Sequence, residues 1–538
     1  MTSSWNLGDI FDALAEAVPR DRTALIHGDR EVSWQQFTAR SNNLARNLLD
    51  NGAKIGDKIA FYLRNCPEYT EGMVAGFKAR LSHVNVNYRY IENELIYLLD
   101  NSDATVCIFS AEFAEQVSKI RDKLPKVKQW VQVEDGTLGL KDVIAYEDFA
   151  SKGNGQALSD MNREPSDQLF IYTGGTTGLP KGVMWSHDAL WNVLGAGGNP
   201  RMGIPPCEDL TEHLGRVTNN PMPTVALPLP PLMHGTGLLS ALMAMGSGGT
   251  CITLTSRNFE ANLALAEIDK HKVTTVSIVG DAFARPLVEA LDNNYLGDFS
   301  SVLAITSSGV MWTREVKEGL LRHNENLILL DGFSSSEAIG LGSSIMTKDE
   351  SIDVAKFTLG PACKVFKDDG TEVIAGSGEK GMVAVSGFLP DGYYKDQAKT
   401  DSTFKVFDGT RYSIPGDYVE VLADGSLVLL GRGSNCINTA GEKVFPEEVE
   451  EALKRHESIS DCLVVGLADE KWGQSITAVV EVLEGHTMSE AELRQFSREH
   501  LAAYKIPKRI LIKDDLERAA NGKANYKLIK EFAEAALS

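Results

Sequence analysis

From Lys58 onward, short apolar and β-branched runs alternate with stretches in which apolar positions recur every three or four residues. KIAFYLRN reads as a strand, PEYTEGMVAGFKAR as an amphipathic helix, HVNVN as a strand, ENELIYLLDNSDA as a helix and TVCIFS as a strand. The rhythm returns at VTTVSIVG followed by AFARPLVEALDN, and at SVLAITSSG followed by TREVKEGLLRHN. Strands separated by helices need crossover connections, which predicts a layered α/β fold with mainly parallel strands for the large N-terminal part.

The pattern changes near Tyr412, where DYVEVLADGSLVLLGRG becomes strand-rich and Asp424-Gly425 marks a hairpin turn. After Arg432 come a helix (PEEVEEALKRHE), two strands (DCLVVGLAD and SITAVVEVL), a helix (SEAELRQFSREHL) and a last helix near Tyr526. This predicts a small, mobile α+β C-terminal domain of about a hundred residues. The boundary is set at 432/433, with an N-terminal domain over 1–432 and a C-terminal domain over 433–538. Between Gly195 and Thr224, Pro200, Pro205, Pro206, Pro221 and Pro223 interrupt a stretch of weak periodicity, which reads as a long surface loop or lid.

The most apolar region, Ala226 to Met245, is broken by Pro228, Pro230, Pro231, His234, Gly235 and Gly237. It reads as strand, loop and helix rather than a membrane span, because unsatisfied backbone groups are costly in lipid. The N-terminal MTSSWNLGDIFDALAEAV has no basic region followed by an apolar run, so neither a secretory signal nor an anchor is expected.

Length and charge narrow the picture further. A chain of 538 residues exceeds one ordinary core and predicts several structural units. With 53 Lys and Arg against 74 Asp and Glu, the formal charge of −21 offers nucleic acid no general foothold, so any phosphate must be held by local groups. The seven cysteines form no C-x-x-C pair, which argues against zinc or a disulfide framework and for a reducing cytoplasm.

The strongest chemical signal is YTGGTTGLPKG, Tyr172 to Gly182, directly after the apolar QLFI. Clustered glycines let a backbone approach phosphate oxygens, and hydroxyls and a lysine add donors. A Walker A loop is excluded, because Lys181 lies between Pro180 and Gly182 rather than before Ser or Thr.

With these residues the chain resembles the adenylate-forming family of acyl-CoA synthetases, luciferases and peptide-synthetase adenylation domains, from about Thr23 to Lys527. The resemblance implies that Thr173, Gly174, Gly175, Thr176, Thr177, Gly178 and Lys181 hold the phosphates of ATP. LPLPPLMHGTG then carries His234 beside the acyl pocket, and TSSGVMW places Ser308 and Gly309 along adenine. DGFSSSEAIG supplies Asp331, Gly332, Phe333, Ser334 and Ser336 to the nucleotide, with Phe333 stacked on adenine and Glu337 on Mg²⁺. One carboxylate suffices chemically, since Mg²⁺ bridging ATP phosphates needs only one or two.

Asp417 is the implied acceptor for the ribose diol, a task suited to an acceptor-only carboxylate, and Arg432 a second ribose or phosphate contact. Gly441 falls on the implied pantetheine path, with Lys443 following, and Lys523 is the lysine that contacts both carboxylate and α-phosphate. The implied catalytic set is Lys523, Glu337, Thr173, Lys181 and His234, with ATP, Mg²⁺ and coenzyme A as cofactors and a small-molecule carboxylic acid as substrate partner. Two departures stand out: Ser434 where the family often has Asp or Lys at its hinge, and Ala519, Ala520 and Asn521 ahead of Gly522-Lys523.

The activity implied is ATP-dependent conversion of an acid to acyl-AMP and then acyl-CoA. Loading of a separate carrier protein, a luciferase-type oxygenase and a non-catalytic nucleotide sensor remain open. Near the implied acyl site only Asp281 is charged, which favours an apolar acid over an amino acid. The proline-containing loop and NVNYRY resemble bacterial ligases for fatty acids and steroid side-chain acids. A homodimer stays open as the commonest assembly.

Overall fold

The computed structural model describes residues 4–90, 92–173, 179–293, 295–310, 312–349, 356–439, 442–469, 473–501, 503–519 and 522–537. The chain divides into two compact units, Met1–Val354 with Ser386–Ser413, and Ala355–Val385 with Ile414–Ser538.

The first unit carries two sheets, most of whose parallel strands are joined through helices. One runs Arg30–Ser33, Thr23–His27, Thr250–Thr253, Val225–Pro228, Thr275–Ile278, Ala304–Ser308, Ile328–Ser335 and Ala338–Met346. It is parallel from Thr23–His27 through Ile328–Ser335 and closes with an antiparallel pair at each end. The other runs Gly392–Tyr393, Lys181–Ser186, Gln168–Thr173, Ser82–Asn85, Lys58–Tyr62, Ala104–Ser110, Gln129–Val133 and Ile144–Ala145. Ile59, Phe61, Val84, Val106 and Ile108 in its middle are buried, which is why these strands read as continuous apolar runs rather than alternating ones.

Helices fall where periodicity places them: Pro67–Lys78, Glu92–Asn101, Asp281–Asp292 and Arg314–His323. Asp281–Asp292 buries Phe283, Ala284, Leu287 and Leu291, one face of a 3.6-residue repeat. Full burial of each such large side chain is worth roughly 1.5–3 kcal/mol.

The second unit begins with strands Lys356–Leu359, Cys363–Phe366 and Lys380–Val385, which group with Asp417–Val421 and Ser426–Arg432. Its remaining sheet joins Ile437–Thr439, Glu442–Val444, Ile459–Asp469, Gly473–Val482 and Arg509–Ile512, covered by helices Pro446–Leu453, Glu490–His500 and Tyr526–Leu537. Ser489 and Glu492 form a reciprocal capping box that starts the helix at Glu490. The unit thus takes in residues 355–385 and 414–432, which sequence patterning assigns to the first domain.

The 195–224 stretch is more ordered than its prolines suggest. Leu210–Thr218 is a helix capped by Asp209, and it buries His213 and Val217. The i, i+3, i+7 spacing of Leu210, His213 and Val217 is a short amphipathic signal hidden by flanking prolines. Among the described residues no helix is long and apolar enough to cross a membrane. All seven cysteines are free.

Candidate active site

Two paired strands carry the described ends of the glycine-rich motif. Gln168–Thr173 and Lys181–Ser186 are antiparallel, with Tyr172 opposite Gly182 and Thr173 opposite Lys181. Gly174, Gly175, Thr176, Thr177 and Gly178 lie outside the described residues, so Thr173 and Lys181 mark the loop's two posts. Gly182 has its own reason in packing: a Cβ there would sit 2.6 Å from the Tyr172 ring.

Lys181 and Glu337 are gathered by one short segment. Lys181 Nζ lies 2.6 Å from Asp396 Oδ2, and the Tyr393 hydroxyl donates to Glu337 Oε1 at 2.7 Å. Asp396 Oδ1 also accepts the Lys399 N–H as N-cap of helix Gln397–Thr403, so its carboxylate is fixed at both oxygens. The Lys181 hydrogen bond, followed by that cap, holds Asp396 below its ordinary carboxyl value. Between them, Tyr394 donates to Asp103 and Lys395 pairs with it, both at 2.7 Å. Four consecutive residues, 393–396, are therefore each engaged by side-chain contacts.

Glu337 sits with Ser336 in the two-residue turn between Ile328–Ser335 and Ala338–Met346. The Ser336 carbonyl accepts from Trp185 Nε1 at 2.9 Å and the Glu337 carbonyl from Ser413 Oγ at 2.7 Å. Glu337 makes no ion pair among the described residues, and Tyr393 occupies only Oε1. Oε2 is a hard oxygen donor of the kind Mg²⁺ prefers.

The implied adenine loops are adjacent strands, with Ser307 opposite Asp331 and Ser308 opposite Gly332. Ser308 Oγ donates to the Gly332 carbonyl at 2.8 Å, and Thr236 Oγ1 to the Ser308 carbonyl at 3.4 Å. The second bond draws the first turn of helix Gly235–Gly246, whose N-cap is His234, toward that loop. Gly309 has φ +101°, a conformation that favours glycine. Phe333 is buried opposite Gly342, and Ser334 Oγ accepts the Gly340 N–H. The Asp331 carboxylate is buried and paired with Lys317 at 3.1 Å; burial raises it more than Lys317 lowers it. Its side chain thus has a structural partner, leaving the backbone at 331–333 as the ligand-facing candidate.

In the second unit, Asp417 is buried and its backbone pairs with Arg432. Lys443 pairs in backbone register with Asn438, and Gly441 lies outside the described residues. Lys523 is exposed, and its carbonyl accepts the Ala519 N–H at 3.0 Å.

Patterning passed over several residues. Asn85 donates to the carbonyls of Tyr172 and Met233 and accepts the Tyr172 N–H, tying the motif strand to the segment before His234. An Asn inside the apolar HVNVN was the available signal. Tyr393 and Asp396 gave none, because their partners lie 56 and 215 residues away.

The AMP-binding enzyme profile matches residues 11–394, and the AMP-binding enzyme C-terminal domain profile matches residues 448–523. A 3-oxocholest-4-en-26-oate–CoA ligase of Rhodococcus rhodochrous is 39% identical over 541 residues, covering 98% of this chain and 95% of that protein. A medium/long-chain-fatty-acid–CoA/3-oxocholest-4-en-26-oate–CoA ligase of Mycobacterium tuberculosis (strain ATCC 25618 / H37Rv) is 38% identical over 540 residues, covering 99% and 97%. Among solved structures, the anthranilate CoA ligase AuaEII with anthranoyl-AMP superposes with TM-score 0.84 at 21% identity, covering 99% of this chain and 98% of that one. The resemblance to that structure establishes the fold.

Proposed function

Since the chain belongs to the AMP-binding enzyme family, we propose that it is an AMP-forming acid–CoA ligase acting on a hydrophobic carboxylic acid. The observation that carries this reading is the near full-length likeness to CoA ligases, which spans both the motif strands and the Lys523 region.

In the proposed first step the substrate carboxylate, already a nucleophile, attacks the α-phosphorus of ATP and pyrophosphate leaves. Catalysis is then mainly positioning and charge neutralisation. Thr173 and Lys181 hold phosphate oxygens, Lys523 neutralises charge gathering at the α-phosphate, and His234 lines the acyl side. Ser308, Gly309, the 331–336 backbone, Asp417 and Arg432 hold the nucleoside. Glu337 fits Mg²⁺ through its second oxygen, and the ion when bound offsets phosphate charge. In the second step the CoA thiolate attacks the acyl-adenylate carbonyl and AMP leaves, with Gly441 and Lys443 assigned to the CoA path. The 432/433 boundary, with Ser434, is kept as the hinge between the two roles.

A long apolar acid of the fatty or steroid side-chain class is the substrate assigned. Asp281, the charged residue nearest in sequence to the acyl segments, is committed to the Thr313 N–H and Oγ1 at 2.9 and 2.8 Å and to Arg285, so it does not offer an ammonium partner. A reducing cytoplasm suits the seven free cysteines, and a homodimer is proposed as the assembly.

Pyrophosphate release across short, medium, long-chain, aromatic and steroid acids, with and without CoA, tests the reading. Acid-dependent release with CoA thioester as product is expected. Turnover only with a carrier protein, light emission, or nucleotide binding without pyrophosphate release would replace it.

A further inference from the structure

Away from the first unit's site, a cluster of charged groups lies beside the segment that bears Lys523. Glu450 and Lys454 come from the end of helix Pro446–Leu453, Asp461 from strand Ile459–Asp469, and Arg518 and Tyr526 from either side of Lys523. Asp461 accepts a fork from Arg518, with Nη2 at 2.9 Å and Nε on the other oxygen, and Lys454 Nζ lies 3.3 Å from the same carboxylate. Buried Glu450 accepts the Val464 N–H and the Tyr526 hydroxyl, each at 2.9 Å. Burial raises Asp461, but Arg518 and Lys454 outweigh it, and the carboxyl stays below its ordinary value.

A fork of this kind would ordinarily do no more than pin a strand. Arg518 goes further, because Nη1 donates to the Gly522 carbonyl at 3.1 Å. Gly522 N–H donates to the Ala519 carbonyl at 2.8 Å, and Ala519 N–H to the Lys523 carbonyl at 3.0 Å. Gly522 has φ +72°, which a side chain would resist. The carbonyls on both sides of the Lys523 amide nitrogen and α-carbon are thus held by residues 518 and 519. A planar guanidinium can serve a carboxylate with two N–H groups and a carbonyl with another, whereas an ammonium lacks that rigid fork.

We propose that Arg518, anchored by Asp461, is a positioning residue that fixes the backbone from which Lys523 projects and so sets the rate of acyl-adenylate formation. The inference rests on the assignment of Lys523 to that half-reaction.

The test uses the full chain with Arg518→Lys and Asp461→Asn, and with dodecanoate and a steroid side-chain acid as probes. Acid-dependent ATP–pyrophosphate exchange reads the first half-reaction, and thioester formation from the synthetic adenylate reads the second. Exchange should fall about ten- to a hundredfold, the scale of a small misplacement, while thioester formation stays within about twofold. Equal loss of both half-reactions, or exchange within about twofold of wild type in both variants, overturns the proposal. If thermal unfolding shows that Arg518→Lys does not fold, Asp461→Asn decides alone. Lys523→Ala run alongside separates the two claims. Intact exchange in it removes the Lys523 assignment, whereas lost exchange there with normal exchange in the other two variants removes only the role of Arg518.

Discussion

Different holds on the candidate catalytic groups are seen in the two compact units. In the first, the charged tips are engaged: Lys181 rests on Asp396, and Glu337 accepts from Tyr393. In the second, the backbone is engaged: the Gly522 and Lys523 carbonyls are bonded by residues 518 and 519 while the Lys523 side chain is exposed. A tip held by a counter-charge must exchange that partner when ligand arrives, so removing the counter-charge can release it, whereas a neutral donor such as Tyr393 aims the tip it holds. A group held through its backbone loses its aim instead. The same chemical change, a carboxylate neutralised, should therefore act in opposite directions in the two units.

The largest effect is expected from Lys523→Ala, which removes the tip itself. Pyrophosphate exchange should drop on the order of a hundredfold or more, the usual result of deleting one preorganised electrostatic donor. Thioester formation from preformed acyl-adenylate should survive, and stopped-flow assays of the two half-reactions would show the split.

Next comes Tyr393→Phe, which removes the donor that orients Glu337. Hydrogen-bond partners of metal ligands typically matter by about ten- to a hundredfold in affinity. Titration of Mn²⁺ into the ATP complex, followed by electron paramagnetic resonance, should show a loss in that range; an unchanged affinity would mean that Tyr393 does not orient the carboxylate.

A stability change sharpens the contrast from within the second unit. Burial lifts the Glu450 carboxyl from 4.5 to about 7, so the folded state holds its proton more tightly than the unfolded state. The stabilisation is fully present below the unfolded value and is lost as pH rises through about 7. Glu450→Gln keeps an acceptor for Val464 and Tyr526 without the charge. It should flatten that fall and stabilise the second unit above neutrality by on the order of 2 kcal/mol, measured by denaturant titration across pH.

The smallest effect carries the opposite sign. Asp396→Asn keeps the helix cap but removes the counter-charge of Lys181, and KM for ATP should drop about two- to fivefold, the scale of a partly exposed ion pair. A rise in KM would show that Asp396 aims Lys181 rather than holding it back.

Regular elements were legible because their signals are local. The strand before the glycine-rich motif, the Asp424-Gly425 hairpin and the helix at Pro446–Leu453 each follow from residues within a few positions. The resemblance carried the motif residues in their proper order. What escaped is what distance in sequence hides: Asn85 bridging Tyr172 and Met233, Asp396 meeting Lys181, and Asp461 meeting Arg518 across 57 residues. Residues 355–385 carry ordinary strand patterning, and nothing within them says with which unit they will group. Helix Leu210–Thr218 was masked differently, since prolines on both sides outweighed a nine-residue amphipathic repeat.

The central claim is that the acid's carboxylate bonds to the α-phosphorus of ATP. It is tested most directly by running one turnover with acid carrying ¹⁸O in both carboxylate oxygens and analysing the products by mass spectrometry. The account predicts one heavy oxygen in AMP and none in pyrophosphate. Label in inorganic phosphate or pyrophosphate, or AMP free of label while thioester forms, would contradict it.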